Sequence, residues 1–248
     1  MDQMIKGFDC STPLTTKTAA AFAAAGYAFV ARYLVPSGYS KALTRAEAEL
    51  INKAGINIIS VFETTANRAL GGRTAGINDG YTAIEVAKQV GQPEGSTIYT
   101  AVDFEVTASQ MPVVLEYIRG FSEATPKYNT GVYGSYSVIE AAKSVRVCSR
   151  YWQTYAWSGG KKSGGIHIYQ YKNDITENGI GVDLNEGYEG FGAWNALRVE
   201  EVKIMLSIGD ANKIIAVLKA VYELAPNPEI GRLADALRVA SGQPKENS

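Results

Sequence analysis

Asp103 and Glu105 close the run Thr97-Ile-Tyr-Thr-Ala-Val-Asp-Phe-Glu-Val106, which is otherwise apolar and β-prone. A run of that kind reads as a buried strand. Side chains two residues apart on a strand share a face, so both carboxyls should point the same way at the strand's C-terminal end. Two carboxylates that close raise each other's proton affinity. One can then hold a proton near neutral pH while the other is ionised, which is the division of labour that cleavage of a glycosidic bond needs. Two charges on one strand face are costly unless they are solvated or used, and that weighs toward chemistry for this pair.

Three more acids end short β-prone runs: Asp9 in Gly7-Phe-Asp-Cys-Ser11, Glu63 in Val61-Phe-Glu-Thr64, and Asp183 in Gly181-Val-Asp-Leu-Asn185. Each has a plainer reading, since an acid after a strand often caps the next helix or satisfies turn amides. Arg32, near the end of another such run, could join the acids and lower the pKa of whichever it touches. Aromatic residues gather near the same strand ends. Tyr133, Trp157 and Tyr171 are the ones chosen as sugar-stacking candidates, because a ring with a polar edge can both stack on a pyranose and hydrogen-bond its hydroxyls. Most of the other aromatics read as core.

The elements that must carry these residues follow from the alternation of β-rich runs with alanine-rich or amphipathic stretches up to about residue 185, the pattern of βαβ units. Strands are expected at 4–9, 27–34, 57–62, 97–103, 130–133, 150–155, 166–171 and 181–184, and helices at 15–25, 45–54, 78–90, 110–123 and 136–144. Eight strands with helices mostly in the first half predict an α/β fold, an irregular (β/α)8 TIM-like barrel, with a doubly wound open sheet as the main alternative. A parallel barrel opens all its strand C-termini on one face, so the five acids should converge there. The glycine-rich stretches 70–76 and 158–165 lack the ending of a phosphate-binding loop and read as flexible rim loops.

Composition narrows the function classes. The 248 residues carry a formal charge of −1, and residues 196–248 hold 7 basic and 7 acidic side chains, so neither part is built to attract nucleic acid. No window approaches the roughly 18 apolar residues of a membrane span. Cys10 and Cys148 form neither a disulfide framework nor a metal-ligand spacing, and the lone His167 argues against a histidine triad or a multi-histidine zinc site.

In order along the chain, Gly7-Phe-Asp-Cys-Ser11, Tyr99-Thr-Ala-Val-Asp-Phe-Glu105, Thr130-Gly-Val-Tyr-Gly-Ser135, Tyr169-Gln-Tyr171 and Gly181-Val-Asp-Leu-Asn185 resemble the strand-end motifs of glycoside hydrolase family 25 lysozymes, and most of all their glycoside-hydrolase-like relatives. The resemblance covers roughly residues 3 to 195. It implies an N-acetylmuramidase on an irregular barrel, cutting the β-1,4 bond between N-acetylmuramic acid and N-acetylglucosamine, with no metal or organic cofactor. It makes Glu105 the general acid and Asp103 the group that stabilises positive charge or orients the substrate's acetamido group. Asp9 and Asp183 become the flanking acids; Glu63, Arg32, Tyr133, Trp157 and Tyr171, read from their places at the strand ends rather than from the resemblance, are the expected substrate contacts. In the glycoside-hydrolase-like group the second acid varies; here it is Glu105, which favours an enzyme.

Residues 196–248 form a second expected unit, a helical appendage after a barrel of residues 1–195. Stretches 199–207, 211–223 and 230–238 have apolar residues at helical spacing, the last after Pro226 and Pro228. The run from Asp210 to Gln243 resembles appendages at the ends of phage cell-wall hydrolases, which implies wall binding or self-association. The start of the chain lacks a basic region followed by an apolar stretch, so the expectation is synthesis in the cytoplasm without a signal peptide and holin-type release to the wall. A glycan-binding module without catalysis, or a hydrolase of another glycan, remains the alternative.

Overall fold

The computed structural model describes residues 4–197 and 207–246. The chain divides into two compact units, Met1–Leu197 and Arg198–Ser248. The expected helix at 199–207 falls almost wholly outside the described residues.

The first unit is a closed barrel of eight strands in sequence order, β1 (Ile5–Asp9), β2 (Phe29–Tyr33), β3 (Asn57–Phe62), β4 (Thr97–Ala101), β5 (Asn129–Gly134), β6 (Arg150–Thr154), β7 (Ile168–Glu177) and β8 (Ile180–Gly187). Five helices alternate with the first six strands: α1 (Thr16–Ala24), α2 (Arg45–Lys53), α3 (Gly72–Val90), α4 (Met111–Ala124) and α5 (Tyr136–Val145). A short 3-10 turn at Arg68–Gly71 leads into α3. Threonines start two of the helices: Thr15 forms a capping box with Thr18, and the Thr44 side chain accepts from the Glu47 amide.

Strand alternation fixes what each side chain sees. Phe29, Ala31, Ile59, Val61, Tyr99, Ala101, Tyr133, Trp152 and Ile168 form the apolar cluster on the inward faces of the strands. Their outward neighbours, among them Val30, Ile58, Ile98 and Val132, pack in the clusters beneath the helices. The barrel interior is therefore a filled core, and chemistry has to sit above it.

Two expectations need correction. β1 to β7 run parallel, but β8 is antiparallel to both β7 and β1. The cause lies in Asn178-Gly179, where φ values of 50° and 82° make a two-residue hairpin turn that a parallel crossover cannot use. The glycine-rich stretch 70–76 is not a rim loop: Gly72 to Gly76 open α3. Gly76 is there for proximity, because a Cβ on it would stand 2.0 Å from the Tyr117 carbonyl oxygen of α4.

The second unit contains α6 (Ile208–Leu224) and α7 (Pro228–Ala240), capped by Ser207 and Asn227. Both run slightly past the expected stretches at each end. Among the described residues no helix is long and apolar enough to cross a membrane.

Candidate active site

The inward face of each strand continues upward into polar residues. Two residues beyond Ala31, Val61 and Ala101 come Tyr33, Glu63 and Asp103, and two beyond Ile168 comes Gln170. On β1 the last residue, Asp9, pairs with Ala31 of β2 on one side and with Asp183 of β8 on the other. Because β8 runs backwards, Asp183 near its start reaches the same end of the barrel as the C-termini of the other strands. Four of the five expected acids, Asp9, Glu63, Asp103 and Asp183, thus meet at one mouth around Tyr33 and Tyr133: burial pushes both phenols up, helped by Asp9, Asp103 and Asp183 at each and by Glu63 at Tyr33. The hollow at the opposite end, lined by Ile5, Lys6, Asn57 and Phe191 among others, has no acid among its described lining residues.

Asp9 is held from two sides. Gln170 Nε2 donates to its Oδ2 at 2.9 Å and Asn185 Nδ2 at 2.7 Å. Each amide is oriented by its other end: the Tyr133 hydroxyl donates to Gln170 Oε1 at 2.8 Å, and the Trp152 indole donates to Asn185 Oδ1 at 2.8 Å. Burial, reinforced by the Asp183 charge, pushes the Asp9 carboxyl up to about 7 despite those two donors. Asp183 is raised as well, chiefly by burial, while the Asp174 backbone N–H donates to its Oδ1 at 2.8 Å and opposes the rise.

Asp103 is half-buried and raised to about 6 by burial and by Glu63, with Lys41 and Tyr133 pulling the other way. Lys41 Nζ sits 2.9 Å from Glu63 Oε1 and 4.1 Å from the Tyr33 ring centroid. It brings a cation to the mouth from the loop after β2. Nothing in the spacing of acids points to it. Gln170 and Asn185 lie inside the strand-end motifs, but neutral amides carry no charge signal; the Asn-Gly turn is the feature that shows β8 returning beside β1 and bringing Asn185 back to Asp9.

The other expected site residues are placed less centrally. β4 ends at Ala101, and Asp103 and Glu105 lie in the segment beyond it, where Val102, Phe104 and Val106 pack in the cluster under α4 and α5. Glu105 is exposed and makes no hydrogen bond or ion pair with the described residues, so the close pairing with Asp103 expected from a continuous strand is not what holds Asp103's proton. Trp157 is 43% exposed in the loop after β6, at a left-handed φ of 51°. Two residues face the wrong way for the mouth. Arg32 falls between Ala31 and Tyr33, so it points outward. There it is fully buried, with Nε 2.8 Å from Glu47 Oε1 of α2, and it also donates to the Cys10 carbonyl. Tyr171, one residue past Gln170, lies near Glu186 and Glu177 on the outer side of the β7–β8 hairpin. His167 is structural: its Nδ1 accepts from the Tyr151 amide at 3.1 Å, and burial lowers it to about 4.

The pattern of one protein family, the Rv2525c-like, glycoside hydrolase-like domain, matches residues 20–187. This chain belongs to that family. The Mycobacterium tuberculosis protein Rv2525c, named as a candidate peptidoglycan hydrolase, is 27% identical over 163 residues, which cover 62% of this chain and 67% of that protein. The crystal structure of Rv2525c, a Tat-secreted protein in complex with L-tartrate, superimposes with a TM-score of 0.68 at 23% identity, over 78% of this chain and 100% of that one. Bacillus subtilis YbfG is 33% identical over 143 residues, 51% of this chain, though the chain spans only 20% of YbfG. At the level of fold alone, the glycoside-hydrolase-like barrel also matches the catalytic domain of endolysin ply40 from bacteriophage P40 of Listeria monocytogenes, with a TM-score of 0.52, 16% identity, and coverage of 76% of this chain and 95% of that one. The expectation of a cytoplasmic protein let out by a holin does not stand. The mycobacterial member of the family is Tat-secreted, and the first residues of this chain carry no argument against export.

Proposed function

We propose that this glycoside-hydrolase-like barrel cleaves a glycan of the bacterial cell wall by carboxylate acid/base catalysis. The observation that carries the reading is the mouth itself: four carboxylates from four strand ends, two of them, Asp9 and Asp103, with proton affinities raised toward neutrality beside ionisable partners. The name of Rv2525c supports peptidoglycan as the substrate. The bond proposed is the β-1,4 linkage between N-acetylmuramic acid and N-acetylglucosamine.

In this reading a glycan strand lies across the mouth between Tyr33 and the rim. Glu105, exposed and unengaged, delivers its proton to the leaving oxygen once the glycan covers it and excludes water. Asp103, ionised above about pH 6, faces the positive charge that grows at the anomeric carbon, or holds the acetamido group in place for attack. Asp9 and Asp183 bind sugar hydroxyls from the opposite wall, Glu63 with Lys41 closes the third side, and Trp157 offers a ring at the rim. The C-terminal helices serve wall attachment or self-association. A second assignment of the donor has its own support, because Asp103 already carries a raised proton affinity in the uncovered site and Glu105 touches no other acid.

Digestion of purified Gram-positive peptidoglycan by the wild type, Glu105→Gln and Asp103→Asn, with mass spectrometry of the fragments, tests both. Fragments with muramic acid at the new reducing end, lost by roughly 10²-fold in Glu105→Gln, support the first assignment. Loss in Asp103→Asn with release kept in Glu105→Gln moves the donor to Asp103. Binding without release by the wild type overturns hydrolysis in favour of a glycan-binding module.

A further inference from the structure

Gln170 is 2% exposed and stands on the inward face of β7, with Ile168 beneath it and the acids around it. Its carbonyl is fixed by the Tyr133 hydroxyl at 2.8 Å, so its amide must face the other way, where it donates to Asp9 Oδ2 at 2.9 Å and to Asp183 Oδ2 at 3.1 Å. Asp9 and Asp183 are direct cross-strand partners of an antiparallel pair. Like charges in that relation repel, and left alone the two side chains would turn apart. One neutral amide bridges them instead.

We infer that Gln170 is a positioning residue that clamps Asp9 and Asp183 into a single acid pair and leaves one oxygen, Asp9 Oδ1, to meet the substrate. The inference rests on the glycan-cleaving reading for its purpose but not for its geometry. Of the four carboxylate oxygens of the pair, Oδ2 of each accepts from Gln170, and Asp183 Oδ1 accepts from the Asp174 amide. Asn185 adds a second donor to Asp9 Oδ2. Asp9 Oδ1 accepts no hydrogen bond from the described residues, so a proton retained by the pair has its place there, as does a hydrogen bond to a sugar hydroxyl. The choice of glutamine matters chemically. A lysine or arginine at this position would favour the ionised form of both acids and drive the proton off, whereas an amide supplies donors without formal charge. Tyr133 then serves less as a sugar-stacking ring than as the post that keeps the amide from flipping.

Two substitutions separate this role from packing. Gln170→Leu fills the same space without donors; Gln170→Glu keeps an acceptor for Tyr133 and can donate only when protonated. The readout that needs no catalysis is the titration of the Asp9 side-chain carboxyl, followed by 13C NMR. The amide favours the ionised form of Asp9, so the Asp9 midpoint should move up in Gln170→Leu. In a peptidoglycan digest the same variant should lose about tenfold or more in rate, and Gln170→Glu should recover part of that loss only at acid pH, where its carboxyl is a donor. An Asp9 midpoint unchanged in both variants overturns the clamp, whatever happens to activity. If Gln170→Leu does not fold, Gln170→Glu alone decides by the same titration. A shifted midpoint in a protein that releases no fragments would keep the clamp and sink the hydrolase.

Discussion

Asp103 holds its proton further up the pH scale than a free aspartate because burial and the Glu63 charge outweigh Lys41 and Tyr133. Removing the cation should tip that balance further. In Lys41→Met the Asp103 midpoint is expected to rise by about one pH unit or more, since a nearby opposite charge typically lowers a carboxyl by about 1–3, and since Glu63 loses its ion-pair partner and repels Asp103 more strongly. The acid limb of a pH–rate profile, or carboxyl NMR, reads the change; a midpoint that falls or stays would show that Lys41 does not act on Asp103. Asp9 gives a prediction of opposite use. Its folded-state value of about 7 lies above that of the unfolded chain, about 3.9. Between those values the folded protein binds more protons, so this group makes stability fall as pH rises from about 4 to about 7 and level off above. Asp9→Asn, which can still accept from Gln170 and Asn185, should therefore be more stable than wild type at pH 8. The gain should be a few kcal/mol at most, because a tenfold change in proton affinity is worth about 1.4 kcal/mol, and it should vanish near pH 4. Urea unfolding at the two pH values checks the sign. The acids were legible in sequence because each ends an apolar run, and a charge there stands out. Arg32 and Tyr171 were misplaced by a single residue of phase: on a strand, the neighbour of a mouth residue faces away from the mouth. Lys41, from a loop, leaves no periodic trace.

At the scale of elements, the order of strands and helices was readable from alternation alone, and the five barrel helices start and stop within a residue or two of expectation except for α3. That exception is instructive. Glycine is a poor helix former, so a stretch with Gly71, Gly72 and Gly76 reads as loop unless the partner helix is known. The gain comes from α4: Gly76 lets the two backbones meet, with the Tyr117 carbonyl and the Phe121 amide where a methyl would go. Gly76→Ala should therefore destabilise despite alanine's better helix propensity, by about 1–3 kcal/mol or more, the usual cost of overpacking. A lower urea midpoint with unchanged slope is the expected result; a rise would mean α3 and α4 can separate without penalty. The reversal of β8 belongs to the same scale. Both the parallel expectation and the backward strand deliver Asp183 to the mouth, so the acid's address was right for a wrong reason. Only the reversed strand also places Asn185 against Asp9, and that contact stays hidden unless Asn178-Gly179 is taken as a hairpin turn.

At the scale of the whole molecule, the second unit poses the sharper physical problem. Among its described residues only Ala211, Ala234 and Asp235 are buried, while Leu224 is 88% exposed and Val217 64%, with Ile214 and Val221 completing a stripe along α6. Two helices of 17 and 13 residues with so little buried apolar surface fall well short of a self-sufficient core. Their charges do not suggest an oppositely charged partner either, since Lys213 pairs with Asp210, Arg232 with Glu229 and Arg238 with Asp235 inside each helix. A neutral apolar stripe with spacing 3, 4, 3 along Ile214, Val217, Val221 and Leu224 has the spacing of a coiled-coil seam, and a second copy of the same stripe would complement it. The full chain is expected to sediment as a dimer in the micromolar range, and the double variant Val217→Asp with Leu224→Asp as a monomer with its barrel unfolding unchanged. If the wild type is monomeric and the double variant instead stops co-pelleting with peptidoglycan, the stripe is a wall-binding surface. That outcome would also change how the barrel is used, because attachment through the appendage would keep the acidic mouth near its glycan at high local concentration.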